Sequence, residues 1–461
     1  MSGQHPSRSK LLSYLLADLS SVEMSQVVRH LAGGCEQCAS NIELHPNGNR
    51  PTPETRPGSW HSAAEQFGGA FEEVFDQVLD RVRSSGCGAL EVMPADRQRL
   101  TALHDLPFGR QRLLVQNSTS YHAPGTVLAL LAESWSIRFE APARMLELAE
   151  LAVVCSLSCG GSQQGGGSLH GGSESLDQSL VSDLRARSFA LKANALRIGG
   201  DIRAAREALD EAERWLLQGS GGPREVAEHL EVRAILSAYG SANPEAIAAL
   251  RMAIALYRAC GEGHLMGRAL LNLGYLLSRQ GDFNAEVELV QEALSHLDAQ
   301  LEPTLVLAGW HNLLHSLHSM GRNREALKLL AQARPLYLEV GDRMSLVRFQ
   351  WLEGLIAESL ERFEQAEGCY QEVRKRFVEA SVPIDAALAS LDLAALLLKQ
   401  ERHAEVMRLS SEMLSVFRAH QVEEEALAAL ILLSQAAKRR ELTVAVLNEV
   451  GERLDRVQAS S

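Results

Sequence analysis

The feature that most constrains this chain is a period. "GDFNAEV" begins at Gly281, "GRNREAL" at Gly321, "ERFEQAE" at Glu361 and "ERHAEVM" at Glu401, while "SANPEAI" begins at Ser241, so that these five starts fall 40 residues apart. A sixth unit, "GDIRAAREAL" from Gly200, is one residue out of step. A fixed period in this range means stacked supersecondary units, each unable to bury its apolar face alone.

The spacing inside each unit says what the unit is. About seven residues before the start stands a small residue, Ala193, Ala234, Gly274, Gly354 or Ala394, with Leu314 the exception. Five residues after the start come Ala205, Ala246, Ala326 and Ala366, with Glu286 and Val406 departing, and twelve after come Ala212, Ala253, Ala293 and Ala333. Small residues so placed let two antiparallel helices approach closely around a turn at the Gly-Asp or Gly-Arg dipeptide. Leu, Ala, Glu and Arg dominate the chain and long Val/Ile runs are absent, which agrees with an all-α protein. This pattern resembles the tetratricopeptide repeat (TPR) family, with a period of 40 in place of that family's 34. The resemblance implies a right-handed TPR-type α-solenoid over 181–455, and "LTVAVLNEVGERLDRVQ" reads as its capping helix.

Ahead of the repeats the chain changes character twice. "HPNGNRPTPETRPG" is rich in proline and glycine and marks a linker at 46–59. Residues 60–157 read as a helical middle region, with Phe67, Phe71, Phe75, Val78 and Val82 on one face of a first helix and a break near Pro142. A Gly/Ser-rich loop, "CGGSQQGGGSLHGGSES", then occupies 158–180. Divergent hairpins extending the solenoid are one reading of the middle region; its sequence attaches no chemistry to it.

The first 45 residues form a separate module of short helices. Leu11, Leu12, Leu15, Leu16 and Leu19 fall at helical spacing, and Ser20 stands three residues before Glu23 in a capping-box pattern. The segment ends in "HLAGGCEQC", which brings His30, Cys35 and Cys38 within nine residues. Cys-x2-Cys is a common half-site for tetrahedral Zn²⁺. Three readings of the residues stay open: a metal site, a reversible Cys35–Cys38 disulfide, and a helix end where His30 suits the macrodipole and the thiols are incidental. "HPSRSKLLSYLLADLSSVEMSQVVRHLAGGCEQC" resembles the zinc-binding anti-sigma module, which reads His-Pro, two helices, then His and Cys-x2-Cys. The resemblance implies His5, His30, Cys35 and Cys38 as the four ligands of a structural Zn²⁺, and a sigma factor or another regulator as partner. Four residues rather than the family's three separate His30 from Cys35, the extra one falling at Gly33-Gly34. A module of about 40 residues needs such a staple.

Further histidines lie in the repeats. "WHNLLHSLHSMG" carries His311, His315 and His318 at i, i+4 and i+7, one face of a helix. Asn312 stands where a zinc peptidase needs Glu. By the TPR resemblance these histidines fall at positions lining the inner surface. Arg187, Asn194, Arg197, Arg268, Asn272, Tyr275, Arg279, Arg348 and Trp351 hold the equivalent positions in the neighbouring units. Such a groove, polar, basic and partly aromatic, suits an acidic or extended peptide segment; a solvated face without ligand is the plainer reading.

Composition closes several alternatives. With 45 basic and 58 acidic residues, formal net charge −13, the chain lacks the basic footprint of a direct nucleic-acid binder. No 18-residue apolar run exists, so no membrane span is expected. Seven cysteines in 461 residues make no disulfide framework and point to a cytoplasmic, reducing context. There is no phosphate-binding Gly-rich loop and no Gly-x-Ser-x-Gly elbow. His104-Asp105 and Tyr121-His122 read as structural pairs rather than parts of a hydrolase, and Cys155 with Cys159, at i and i+4, as core thiols. The expected function is therefore that of a non-enzymatic regulatory adaptor that binds proteins through its repeats and a zinc module, or, as the alternative, a repeat scaffold whose N-terminal module is purely structural.

Overall fold

The computed structural model describes residues 5–15, 19–32, 35, 37–38, 92–138, 141–159, 178–238, 244–380, 382–419 and 444–460. The 46–59 linker, the Phe67–Val82 stripe, Gly33-Gly34, the turn at Ser241 and nearly all of the Gly/Ser-rich segment lie outside these residues. Among the described residues every long element is an α-helix and there is no strand.

In chain order the helices are α1 (Arg8–Leu15), α2 (Ser21–Ala32), α3 (Pro94–His104), α4 (Phe108–Asn117), α5 (Pro124–Ser136), α6 (Pro142–Ser158), α7 (Gln178–Ile198), α8 (Ile202–Leu216), α9 (Pro223–Ser237), α10 (Pro244–Cys260) and α11 (Gly263–Ser278). They continue with α12 (Phe283–His296), α13 (Pro303–Ser319), α14 (Asn323–Val340), α15 (Arg343–Ser359), α16 (Phe363–Glu379), α17 (Pro383–Lys399), α18 (His403–Ala419) and α19 (Val444–Ser460). The chain divides into two compact units, residues 1–238 with 243–269 and residues 239–242 with 270–461, with the boundary inside α11.

One turn chemistry recurs at the period. At Gly200 (φ 85°), Gly281 (φ 84°) and Gly321 (φ 73°) the backbone enters the left-handed region that glycine adopts without penalty. The residue that follows donates its N–H five residues back, Asp201 to Leu196, Asp282 to Leu277 and Arg322 to Leu317, which is the Schellman closure of a helix C-terminus. Glu361 (φ 60°) and Glu401 (φ 59°) adopt the same conformation, with Arg362 bonded to Ala357 and Arg402 to Leu397. Asp201 and Asp282 then cap the next helix by accepting from the N–H groups of Ala204 and Ala285 at 3.0 and 3.1 Å.

The small residues of the period are the contact points. Ala193, Ala234, Ala205, Ala246, Ala253, Ala293, Ala326, Ala333, Ala366 and Ala394 are all buried. A Cβ on Gly354 would lie 2.8 Å from the ring of Tyr370, so glycine is what admits that ring. Glu286, the departure from alanine, is buried too and accepts from the Ser316 hydroxyl.

In the first unit, α7 packs on α8 and α9 on α10 as hairpins, and α7 packs along α9. The middle region joins them: α5 pairs with α6, α6 packs on α7, and α3 and α4 lie against α5 and α6. Its core of Leu100, Leu103, Val127, Leu130, Leu148 and Leu151 continues into Val181 and Leu184 of α7. In the second unit α12 packs on α13, α13 on α14, α15 on α16 and α16 on α17, and α17 carries both α18 and α19. Leu447, Val450 and Leu454 of α19 close the core formed by Leu391, Leu396, Leu397 and Val406.

Candidate functional site

The N-terminal module is built as its sequence suggests. Ser20 and Glu23 form the capping box that starts α2, their side chains 2.8 Å apart, and Lys10 of α1 pairs with Glu23 at 3.5 Å. Leu11, Tyr14, Val27, Val28 and Leu31 are buried. The last turn of α2 presents His30, a tight turn donates the Cys38 N–H to the Cys35 carbonyl at 3.1 Å, and His5 precedes α1.

These four side chains converge. One ligand atom from each of His5, His30, Cys35 and Cys38 lies within 4.8 Å of the others. His5 Nδ1 is 3.1 Å from Cys35 Sγ and 3.9 Å from Cys38 Sγ, and His30 Nε2 is 3.2 Å from Cys38 Sγ. The two imidazoles meet edge to face at 5.2 Å. Two imidazole nitrogens and two thiols around one point form the donor set of a closed tetrahedral metal site. Burial, and then the neighbouring His5, holds His30 below its ordinary pKa, which keeps the imidazole neutral as a ligand requires. Burial, with the Cys35 thiol beside it, pushes Cys38 up to about 12.

The second set of sequence-selected residues separates between the units. In the first, Arg187 donates to Glu228 at 2.9 Å. Arg268 makes a two-pronged pair with Glu231 at 2.8 Å on each arm, and Tyr257 donates to the same carboxylate at 3.1 Å. Arg268 also lies 4.7 Å above the ring of Trp135, whose indole carries Arg138 at 4.2 Å. Burial works against the Arg268 charge but Glu231 outweighs it, and its pKa is raised. Arg138, buried beside Arg268, is lowered to about 10. Asn194 is buried and accepts from Arg197 at 3.1 and 3.0 Å. These arginines are committed to partners inside the protein rather than displayed as a basic stripe.

In the second unit the face of α13, α15 and α17 is more open. His315 is exposed and meets Phe283 edge to face at 6.4 Å; His318 is hydrogen-bonded to Asn323 at 2.9 Å. Burial, then His315 and Arg348, push His311 down to about 4, and burial, then His318, lowers His315. Both rings are therefore neutral near pH 7. Arg348, with 51% of its side chain exposed, reaches Asp385 at 3.4 Å, and Trp351 donates to Asp392 at 2.7 Å. On α11, Asn272 is half-buried while Tyr275 and Arg279 are exposed.

The acidic partners were not singled out from the sequence, although a signal exists. Arg187–Glu228, Arg268–Glu231, Arg348–Asp385, Arg374–Glu412 and Arg402–Glu367 are 41, 37, 37, 38 and 35 residues apart. Opposite charges about one period apart thus join one hairpin to the next. The remaining candidates are structural: His104 pairs with Glu133 at 2.6 Å, His122 bonds the Val115 carbonyl at 2.8 Å, and the buried Cys155 thiol donates to the Tyr121 carbonyl at 2.7 Å.

No known family profile and no curated protein matches the chain. Solved structures do. A Rap protein complexed with competence and sporulation factor is similar at 12% identity and a TM-score of 0.50, over 72% of this chain and 87% of that one. A signal transduction ATPase with numerous domains and a tetratricopeptide repeat sensor, from Pyrococcus horikoshii, is similar at 13% identity and a TM-score of 0.45, over 96% of this chain and 70% of that one. The fold is that of a TPR-like helical-repeat protein. Among the described residues no helix is long and apolar enough to cross a membrane.

Proposed function

We propose that this protein is a regulatory adaptor: a TPR-like array that binds a protein or peptide segment, headed by a zinc module that engages a second regulator, a sigma factor being the candidate that the module's resemblance names. The observation that carries the reading is the His5–His30–Cys35–Cys38 cluster, a complete two-nitrogen, two-sulfur shell. Its donors fit Zn²⁺, which takes four such ligands with Zn–N of about 2.0 Å and Zn–S of about 2.3 Å. His5 would bind through Nδ1 and His30 through Nε2, the atoms that face the thiols.

For the array, the α13–α15–α17 face supports an extended peptide. Tyr275, His315 and Arg348 are exposed there, and the Arg348–Asp385 pair is long enough for a ligand carboxylate to compete. The likeness to a Rap protein crystallised with a signalling factor agrees with a peptide ligand. One chain should retain one Zn²⁺ through gel filtration, Cys35→Ala should lose it, and capture from native extract should recover a partner that Arg348→Ala releases. Zinc loss in Cys35→Ala with every captured partner retained would refute a zinc-dependent role. That outcome would leave the second reading, a scaffold whose module is structural, which the seating of α2 against the array favours.

A further inference from the structure

The metal module is seated on the repeats. Helix α2 packs on α9. The turn between α8 and α9 passes through Gly221 with φ 69°, and a Cβ there would stand 2.8 Å from both Met24 Cγ and Val28 Cγ2. The α2 side chains therefore rest directly on backbone, an approach that only glycine permits. Beside them Tyr14 of α1 is 1% exposed and its hydroxyl has no hydrogen-bond partner. Burial raises its pKa, followed by the influence of Cys260, Glu225 and Asp183, which places the phenol against the ends of α7, α9 and α10. Asp183 in turn accepts the Ser220 N–H at 3.0 Å in the same turn.

The same two helices carry the ligands. His5 precedes α1, His30 lies in the last turn of α2 two residues beyond Val28, and Cys35 and Cys38 follow. An ion joining these four groups fixes α1 against α2, and with them the spacing of Tyr14, Met24 and Val28. A module this small has too little core to hold that arrangement unaided. We propose that metal occupancy of the N-terminal module and packing of the α8–α9 turn are thermodynamically coupled through the Tyr14–Met24–Val28 face. The inference rests on the metal reading above. Coupling is reciprocal: the ion tightens the turn, and the seated turn tightens the ion. The array thereby registers whether the module is loaded, and anything that takes the α2 face weakens metal retention.

The test uses the full chain with Zn²⁺ as the probe. Zinc affinity is measured against a chromophoric chelator, and hydrogen exchange is followed over residues 219–231 with and without EDTA. In the native chain EDTA should raise exchange in that segment. Gly221→Val, which forces a side chain into Met24 and Val28, should weaken zinc binding about tenfold, within the usual range of coupling between sites. Its 219–231 exchange should no longer respond to EDTA, while α13 to α17 exchange as in the native chain. Met24→Lys attacks the same contact from the module and should reproduce the result if valine disturbs α9. A native chain that binds no zinc overturns the metal reading and the coupling with it. Zinc bound equally by the native chain and both variants, or exchange at 219–231 indifferent to EDTA, overturns the coupling alone.

Discussion

Replacing Glu231 with alanine tests whether the first unit is held by its own buried charges. The Glu231 side chain is 4% exposed and takes both arms of Arg268 at 2.8 Å and the Tyr257 hydroxyl at 3.1 Å. Its removal strands a guanidinium between the Trp135 indole and Arg138, a like charge on the same ring. Breaking a buried pair from one side costs about 3–5 kcal/mol, and a buried hydroxyl left without an acceptor about 1–3 kcal/mol. Glu228 also acts on Arg268 and softens the loss, so about 3 kcal/mol is expected. Because repeat arrays unfold by parts, the assay is native-state hydrogen exchange read at α9, α10 and the start of α11. The paired change Glu231→Leu with Arg268→Met should recover most of the loss, since an apolar pair of similar volume needs no compensation. A cost for Glu231→Ala below about 1 kcal/mol, or a double variant no better than the sum of its singles, would refute the reasoning.

Three further outcomes follow from the geometry. Glu361→Gly and Glu401→Gly should each stabilise the second unit by about 0.5–1 kcal/mol in urea titrations, the relief of a left-handed residue less the chain entropy of glycine. Gly354→Ala should cost about 1–3 kcal/mol in the same assay, because the new methyl meets the Tyr370 ring. His229 is 3% exposed with neither ring nitrogen bonded, and burial, then Arg233, push it down to about 4. Its depressed folded pKa means that the unfolded chain takes up the proton first, so stability is lost as pH falls from about 6.5 towards 4. The stability of His229→Leu relative to the native chain should therefore improve by roughly 3 kcal/mol over that window. The comparison of variants matters because Asp183, raised to about 7 mainly by burial, works in the opposite sense.

Much of this architecture is legible in the chain because its cause is local. A hairpin needs small residues where its helices touch and a left-handed residue where they turn. Both recur every 40 residues, at Gly281, Gly321, Glu361 and Glu401. The ligand set is legible for a related reason: Cys35 and Cys38 share a turn, and His30 ends the preceding helix. The groove is less legible. A stripe of Arg187, Arg268 and Arg348 reads as a basic surface until the acids one period on are placed opposite it.

By itself, then, the sequence determined the helical hairpin, its period and the four side chains capable of holding a metal, since each depends on residues close in the chain. Only the tertiary structure decided that Trp135 of the middle region lies under Arg268, that Glu231 neutralises that arginine, and that Met24 and Val28 rest on Gly221. Such contacts depend on how successive hairpins are rotated as they stack, a small angle accumulated over many side-chain contacts that periodicity does not encode. That accumulated rotation is what turns apparently free arginines into buried ion pairs and seats the metal module on the repeats.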